Sequence, residues 1–159
     1  MTDLELETET TSLRLERTFD APVEDVFDAW TNPEVLRRWW NANPSWAPPS
    51  IELDLRPGGA YRFSMRDTES GEMHTVVGEY REVQRPQRLV YSWAWEGTGP
   101  YAGHESLVTV DFRAEGERTT VVLEHARLRD AQSREAHGHG WNAVLDKLAA
   151  EVFGSARTS

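Results

Sequence analysis

The chain has no cysteine, so disulfides, thiolate nucleophiles and cysteine metal ligands are all excluded. It has a single lysine, Lys147; every other basic residue is arginine. Basic side chains are outnumbered by acidic ones, 17 against 27, for a net charge of −10. A surface of that sign repels phosphate backbones and anionic lipid, which argues against nucleic acid and membrane partners. No apolar run approaches the ~20 residues of a membrane span. The opening MTDLELETET is acidic where a signal peptide would be basic and then apolar. A cytoplasmic protein is the expectation. What the chain does have is tryptophan, seven in 159 residues. Large aromatics need an interior, and one domain of this length can bury close to ~70% of its unfolded surface.

Residues 1–10 alternate acids with Leu and Thr and hold little to bury; they are expected to form a flexible acidic tail, with another short tail at 155–159. Residues 11–154 are expected to form one domain. SLRLERTFD alternates, with Leu13, Leu15 and Phe19 on one parity, as a strand does. APVEDVFDAWTN then changes period: Val23, Val26, Phe27 and Trp30 fall at i, i+3, i+4 and i+7, after Pro22 and a capping candidate, Asp20. Thr31 or Asn32 can cap a second short helix, PEVLRRWW. Six strands follow, joined by short turns. Their parities put Tyr61, Phe63 and Met65 on one face, then Leu89, Tyr91, Trp93 and Trp95, then Ser106, Val108, Val110 and Phe112, then Val121, Leu123 and His125. Asp130 or Ser133 caps a long final helix. Strands followed by a helix that covers one face of the sheet make an α+β domain.

In order and spacing, the segments FDAPVEDVFDAWTNPEVLRRWW, LDLRPGGAYRFSM, GEYREVQRPQRLVYSWAWE, ESLVTVDF and HGHGWNAVLDKLA resemble bacterial proteins similar to the C-terminal domain of the Hsp90 ATPase activator Aha1. These belong to the START/Bet v 1-like (SRPBCC) superfamily of helix-grip folds. The resemblance runs from about Leu13 to Phe153. It implies a curved antiparallel sheet wrapped around the C-terminal helix, often around an apolar cavity. The superfamily includes lipid carriers, hormone receptors, polyketide aromatase/cyclases and resistance proteins that bind enediynes, so fold membership leaves function open.

The final helix carries the most conspicuous stretch, REAHGHGWNAVLDKL. His137, Trp141, Leu145 and Leu148 share one helical face, while Glu135, His139, Asn142 and Asp146 share the other. Two histidines that bind one metal from a helix need i, i+4 spacing; His137 and His139 diverge, and no metal site is expected. His137 and Trp141 either fill the core at the helix start or line the mouth of a pocket. Gly138 and Gly140 each cost about 1 kcal/mol against alanine, which suggests close approach to a neighbour or a loose first turn. His74 and His125 have parities that allow them to face the same interior. No inward carboxylate stands near them to orient a catalytic base, and no nucleophile–base pair is visible. The tandem Trp39 and Trp40, with Trp46, form either a lid or a hydrophobic plug.

An aromatic interior with a few polar tips is the usual composition of a small-molecule site. A ligand-sized cavity is therefore expected, lined by Trp39, Tyr61, Phe63, His74, Tyr91, Trp93, Phe112, His125, His137, Trp141 and Leu145. The leading expectation is binding or sequestration of a hydrophobic, aromatic or polycyclic molecule, without a cofactor. One alternative is a polyketide cyclase/aromatase-like enzyme in which Tyr91, His125 or His137 moves protons. Another is a partner of Hsp90.

Overall fold

The computed structural model describes residues 11–40, 47, 49–97 and 102–153. The expected tails at 1–10 and 155–159, and Trp46, lie outside the described residues. Strand β1 (Leu13–Phe19) leads into two helices, α1 (Val23–Thr31) and α2 (Pro33–Trp39). Then come β2 (Ser50–Leu53), β3 (Ala60–Arg66), β4 (Met73–Gln84), β5 (Arg88–Trp95), β6 (Ser106–Glu115) and β7 (Arg118–Ala126). Helix α3 (Ala131–Lys147) continues into a π-helical turn, Leu148–Val152. The seven strands form one antiparallel sheet in the order β1-β7-β6-β5-β4-β3-β2. This is the α+β helix-grip architecture.

The strand parities read from the sequence place the core. Tyr61, Phe63, Met65, Leu89, Tyr91, Trp93, Val108, Val110, Phe112, Val121, Leu123 and His125 are all buried, on the side of the sheet that α3 covers. Curvature is needed for one sheet to enclose a helix, and β4 supplies some of it. Its pairing with β5 shifts register between Tyr80 and Glu82, and such a bulge bends a strand. Gly78 lies opposite Tyr61. A Cβ there would sit 2.0 Å from the Ser92 carbonyl oxygen and 2.5 Å from the Tyr61 ring. Only glycine lets the tyrosine lie across β4 at that point.

The helix ends follow local chemistry in two cases out of three. Asn32 caps α2, its Oδ1 accepting the Glu34 N–H at 3.0 Å. Asp130 caps α3 through the Ser133 N–H at 2.8 Å. The expected cap of α1 differs: Pro22 holds that position with no side-chain bond, and Asp20 instead faces Arg118 at 3.9 Å. Pro22 presets the backbone, and the acids Glu24 and Asp25 in the first turn complement the helix dipole.

Two tethers fix the helices over the sheet. Arg17 has the inward parity of Leu15 and Phe19 and reaches beneath α3, donating to Asp146 Oδ1 at 2.6 Å and to Asn142 Oδ1 at 2.7 Å. Arg38 of α2 donates to the Glu151 carbonyl in the π-helical turn at 2.6 Å. The face of α3 is as its periodicity requires: Trp141, Val144, Leu145 and Leu148 are buried, while Glu135, His139, Asn142 and Asp146 are exposed. Gly138 and Gly140 answer to no close approach. A Cβ on Gly138 would make ordinary contact with Leu13 at 3.9 Å, and one on Gly140 would meet nothing within 4 Å.

Candidate functional site

The interior between α3, α2 and the sheet is a continuous run of aromatic rings. At one end, Tyr61, Tyr80 and Tyr91 pack together with centroids 5.5–5.8 Å apart. Phe63 lies 5.0 Å from Tyr61. Trp40 comes next, meeting Phe63 at 5.4 Å, Trp141 at 5.4 Å and Trp93 at 5.7 Å, each close to edge-on. Trp93 and Trp141 sit 5.3 Å apart. Beyond them stand His125 and His137, with ring centroids 4.9 Å apart. These contacts are the favoured edge-to-face and tilted arrangements of aromatic quadrupoles.

Each histidine is held by an indole. The Trp141 Nε1–H donates to His125 Nδ1 at 3.0 Å. An indole can only donate, so His125 Nδ1 carries a lone pair and the ring's proton is on Nε2. That proton faces Ser106 Oγ at 2.7 Å, and the Ser106 hydroxyl passes its own to the Trp93 carbonyl at 3.2 Å. On His137 the roles of the nitrogens are reversed. The Trp95 Nε1–H donates to His137 Nε2 at 3.0 Å, and His137 Nδ1–H donates to the Ser133 carbonyl at 2.8 Å. Both rings are neutral. Burial pushes the His125 pKa well below its ordinary value, and the neighbouring His137 adds to the effect. Burial also lowers that of His137, partly opposed by its bond to Ser133.

The tyrosines are held in their protonated form. Burial raises the Tyr61 hydroxyl pKa, with Tyr91 and Tyr80 contributing. Burial likewise raises those of Tyr80 and Tyr91. Tyr61 donates to the Ser92 carbonyl at 2.5 Å. Among the described residues, the buried polar side chains are Thr31, Thr75, Ser92, Ser106, Thr119, Thr120, His125 and Ser133, with no carboxylate.

Among the described residues, two recesses can be traced off this interior. One is bounded by Trp30, Leu36, Trp40, Tyr61, Phe63, Tyr80 and Tyr91. The other borders Trp93, Trp95, His104, Ser106, Leu128, Arg129, Ser133 and His137. Each has a cavity volume of about 10 Å³, room for about one water molecule. Neither of these two recesses is ligand-sized, and between them the interior is filled by the rings of Trp40, Trp93 and Trp141. At the rim of the second recess, Arg127 adopts a left-handed backbone (φ 63°) and its carbonyl accepts from His104 Nε2 at 2.7 Å.

Of the expected lining residues, the fold brings together Tyr61, Phe63, Tyr91, Trp93, His125, His137 and Trp141. Leu145 is buried in the same core. Three others lie elsewhere. His74 is one-third exposed, with Nε2 3.9 Å from Glu72 at the surface; it has the inward parity but lies near the end of β4, away from the rings. Phe112 packs under α1 against Phe27 and Trp30, at 5.1 and 5.5 Å. Trp39 is no lid: it is fully buried, donates to the Ala29 carbonyl at 3.0 Å and packs on Trp30, so it joins α2 to α1. Its neighbour Trp40 enters the interior instead. The tandem at the end of α2 was the available signal, since the chain leaves the helix at Trp40 and the two rings cannot share one face.

The Activator of Hsp90 ATPase homolog 1-like protein family matches residues 20–152. An uncharacterized protein of Schizosaccharomyces pombe is 27% identical over 109 residues, which cover 67% of this chain and 26% of that protein. The chain thus spans about a quarter of that relative's length. Among solved structures, protein CV1439 of Chromobacterium violaceum superposes with a TM-score of 0.79 at 25% identity, over 90% of this chain and 97% of that one. The AHSA1 protein of Silicibacter pomeroyi gives 0.76 at 29% identity, over 87% and 95%. CalU16 of Micromonospora echinospora gives 0.64 at 30% identity, over 89% and 78%.

Proposed function

The chain belongs to the Activator of Hsp90 ATPase homolog 1-like family, and we propose that it binds a hydrophobic, aromatic or polycyclic small molecule inside the grip, sequestering it without transforming it. The fold commonly holds hydrophobic ligands, and this interior is rich in aromatic rings. The observation that carries the reading is the position of Trp40. Its indole lies between the tyrosine recess and the rings that border the histidine recess. Rotating that ring against the wall would open the tyrosine recess toward Trp93 and Trp141, giving a cavity lined by Trp40, Tyr61, Phe63, Tyr91, Trp93 and Trp141.

Trp40 is suited to such a movement. It follows the last residue of α2 with a non-helical backbone (φ −84°, ψ 63°), so a rotation there moves the ring without breaking a strand. Its edge-to-face contacts contribute about 0.5–1.5 kcal/mol each. A flat ligand entering the same place would re-form contacts of the same kind.

Sequestration is favoured over acid–base chemistry because both histidines have both ring nitrogens engaged, and the tyrosine hydroxyls are held protonated. The cyclase-like reading would need one of those bonds to break, and no feature of the interior favours a chaperone partner.

The test titrates wild type and Trp40→Ala with aromatic compounds of increasing ring number, following tryptophan fluorescence and thermal unfolding. Saturable quenching with a rise in Tm is expected, at lower ligand concentration in Trp40→Ala, where no ring has to be displaced. Absence of saturable binding to both proteins would sink the proposal.

A further inference from the structure

We infer that the ligand is a neutral, planar aromatic ketone or quinone whose carbonyl oxygen accepts hydrogen bonds from the indoles of Trp40 and Trp93. This inference rests on the binding reading above and adds the chemical class to it.

The carrying observation is an imbalance of donors. Trp39, Trp95 and Trp141 each place the indole N–H on an acceptor: the Ala29 carbonyl, His137 and His125 respectively. Trp40 and Trp93 do not. Both are 5% exposed, and their Nε1 atoms are buried without an acceptor. Trp30 Nε1 is also buried without an acceptor, at the other side of the tyrosine recess. Buried indole N–H groups ordinarily find a partner, and one left unmade carries the full desolvation penalty of the group. Two of the three unmet donors, those of Trp40 and Trp93, belong to adjacent rings, 5.7 Å apart, in the middle of the interior. That is where the proposed cavity would open.

The same interior has few acceptors to spare. The lone pair of His125 Nδ1 is used by Trp141 and that of His137 Nε2 by Trp95. A phenol would accept from an indole but bring a hydrogen of its own that needs an acceptor. A carbonyl oxygen, which only accepts, answers the deficit. Charge is excluded by the surroundings: no ionised side chain is found among the buried described residues to balance it, and an unpaired buried ion is strongly unfavourable. A planar aromatic ligand is chosen because it can re-form the edge-to-face contacts that Trp40 makes with Phe63, Trp93 and Trp141.

The matched probes are fluorene and 9-fluorenone, which share a tricyclic outline and differ in one ketone. Their dissociation constants are measured by tryptophan fluorescence on wild type, Trp40→Phe and Trp93→Phe; both substitutions keep an aromatic ring and remove the donor. Fluorenone is expected to bind wild type about tenfold more tightly, as one net hydrogen bond allows. That ratio should fall toward one in at least one of the two variants. In wild type, ¹H–¹⁵N spectra should show the Trp40 or Trp93 indole proton moving downfield with fluorenone and not with fluorene, a readout that does not depend on the variants folding. Equal affinity for the two compounds, or a preference that survives in both variants, overturns the inference while leaving the binding reading intact. If neither compound binds, both fall.

Discussion

Acidification should destabilise this protein through its two interior histidines, and the size of the effect can be worked from their surroundings. His125 is 0% exposed. To take a second proton on Nδ1 it must give up the Trp141 indole bond and place a charge among Trp93, Trp141 and the His137 ring. Its pKa is accordingly depressed by burial and by His137, while in the unfolded chain a histidine titrates near 6.5. The unfolded state therefore binds more protons than the folded one below that pH. The stabilisation is fully present above about 6.5 and is lost as pH falls from there toward the depressed folded value. The slope is about 1.4 kcal/mol per pH unit for each such group. His125 alone should remove about 1.4 kcal/mol between pH 7.5 and 5.5. His137, depressed by burial but less enclosed, adds a smaller share, for a total between about 1.4 and 2.7 kcal/mol. Relief of repulsion within a chain of charge −10 works in the opposite sense, but it is common to wild type and variant. Urea melts of wild type and His125→Gln at both pH values isolate the histidine: the variant should lose about 1.4 kcal/mol less on acidification. An equal loss in the two proteins, or a wild type that gains stability toward pH 5.5, would refute the reasoning.

Three substitutions probe the packing. Trp141→Ala removes a ring that is 3% exposed and strips His125 Nδ1 of its donor; urea melts should show a loss of about 3–5 kcal/mol, and a loss under about 1 kcal/mol would mean that the ring borders a void. Gly140→Ala adds a methyl group where nothing lies within 4 Å, so it should stabilise by up to about 1 kcal/mol through helix propensity, and a lower Tm would contradict that. Gly78→Ala forces a Cβ to 2.0 Å from the Ser92 carbonyl oxygen; a loss of about 3 kcal/mol or failure to fold is expected, and near-wild-type unfolding would show that β4 can move aside.

Much of this was legible from residue order. The strand faces were readable because alternation along a strand is a local property: the side of β5 that carries Tyr91 and Trp93 follows from the backbone whatever the sheet later does. The outward His139 and inward Trp141 followed in the same way from the period of a helix. Other features depended on distance in space. Arg17 has the parity of a core residue, but nothing nearby in sequence announces Asp146 and Asn142, which come from the far end of the chain. His74 has the right parity too, yet it falls near the end of its strand, beyond the rings, and parity carries no information about position along the strand.

Composition, parity and helical period determined the α+β class, the identity of the buried faces and the aromatic character of the interior, because each depends on residues within a turn or a strand of one another. Tertiary structure alone decided which rings touch. It put Trp40 rather than Trp39 in the centre, paired Trp141 with His125 and Trp95 with His137, and left the indoles of Trp40 and Trp93 without acceptors. The reason is geometric: hydrogen bonds act over about 3 Å, and which donors and acceptors come within that reach is set by how a sheet curves around a helix from elements widely separated in the chain.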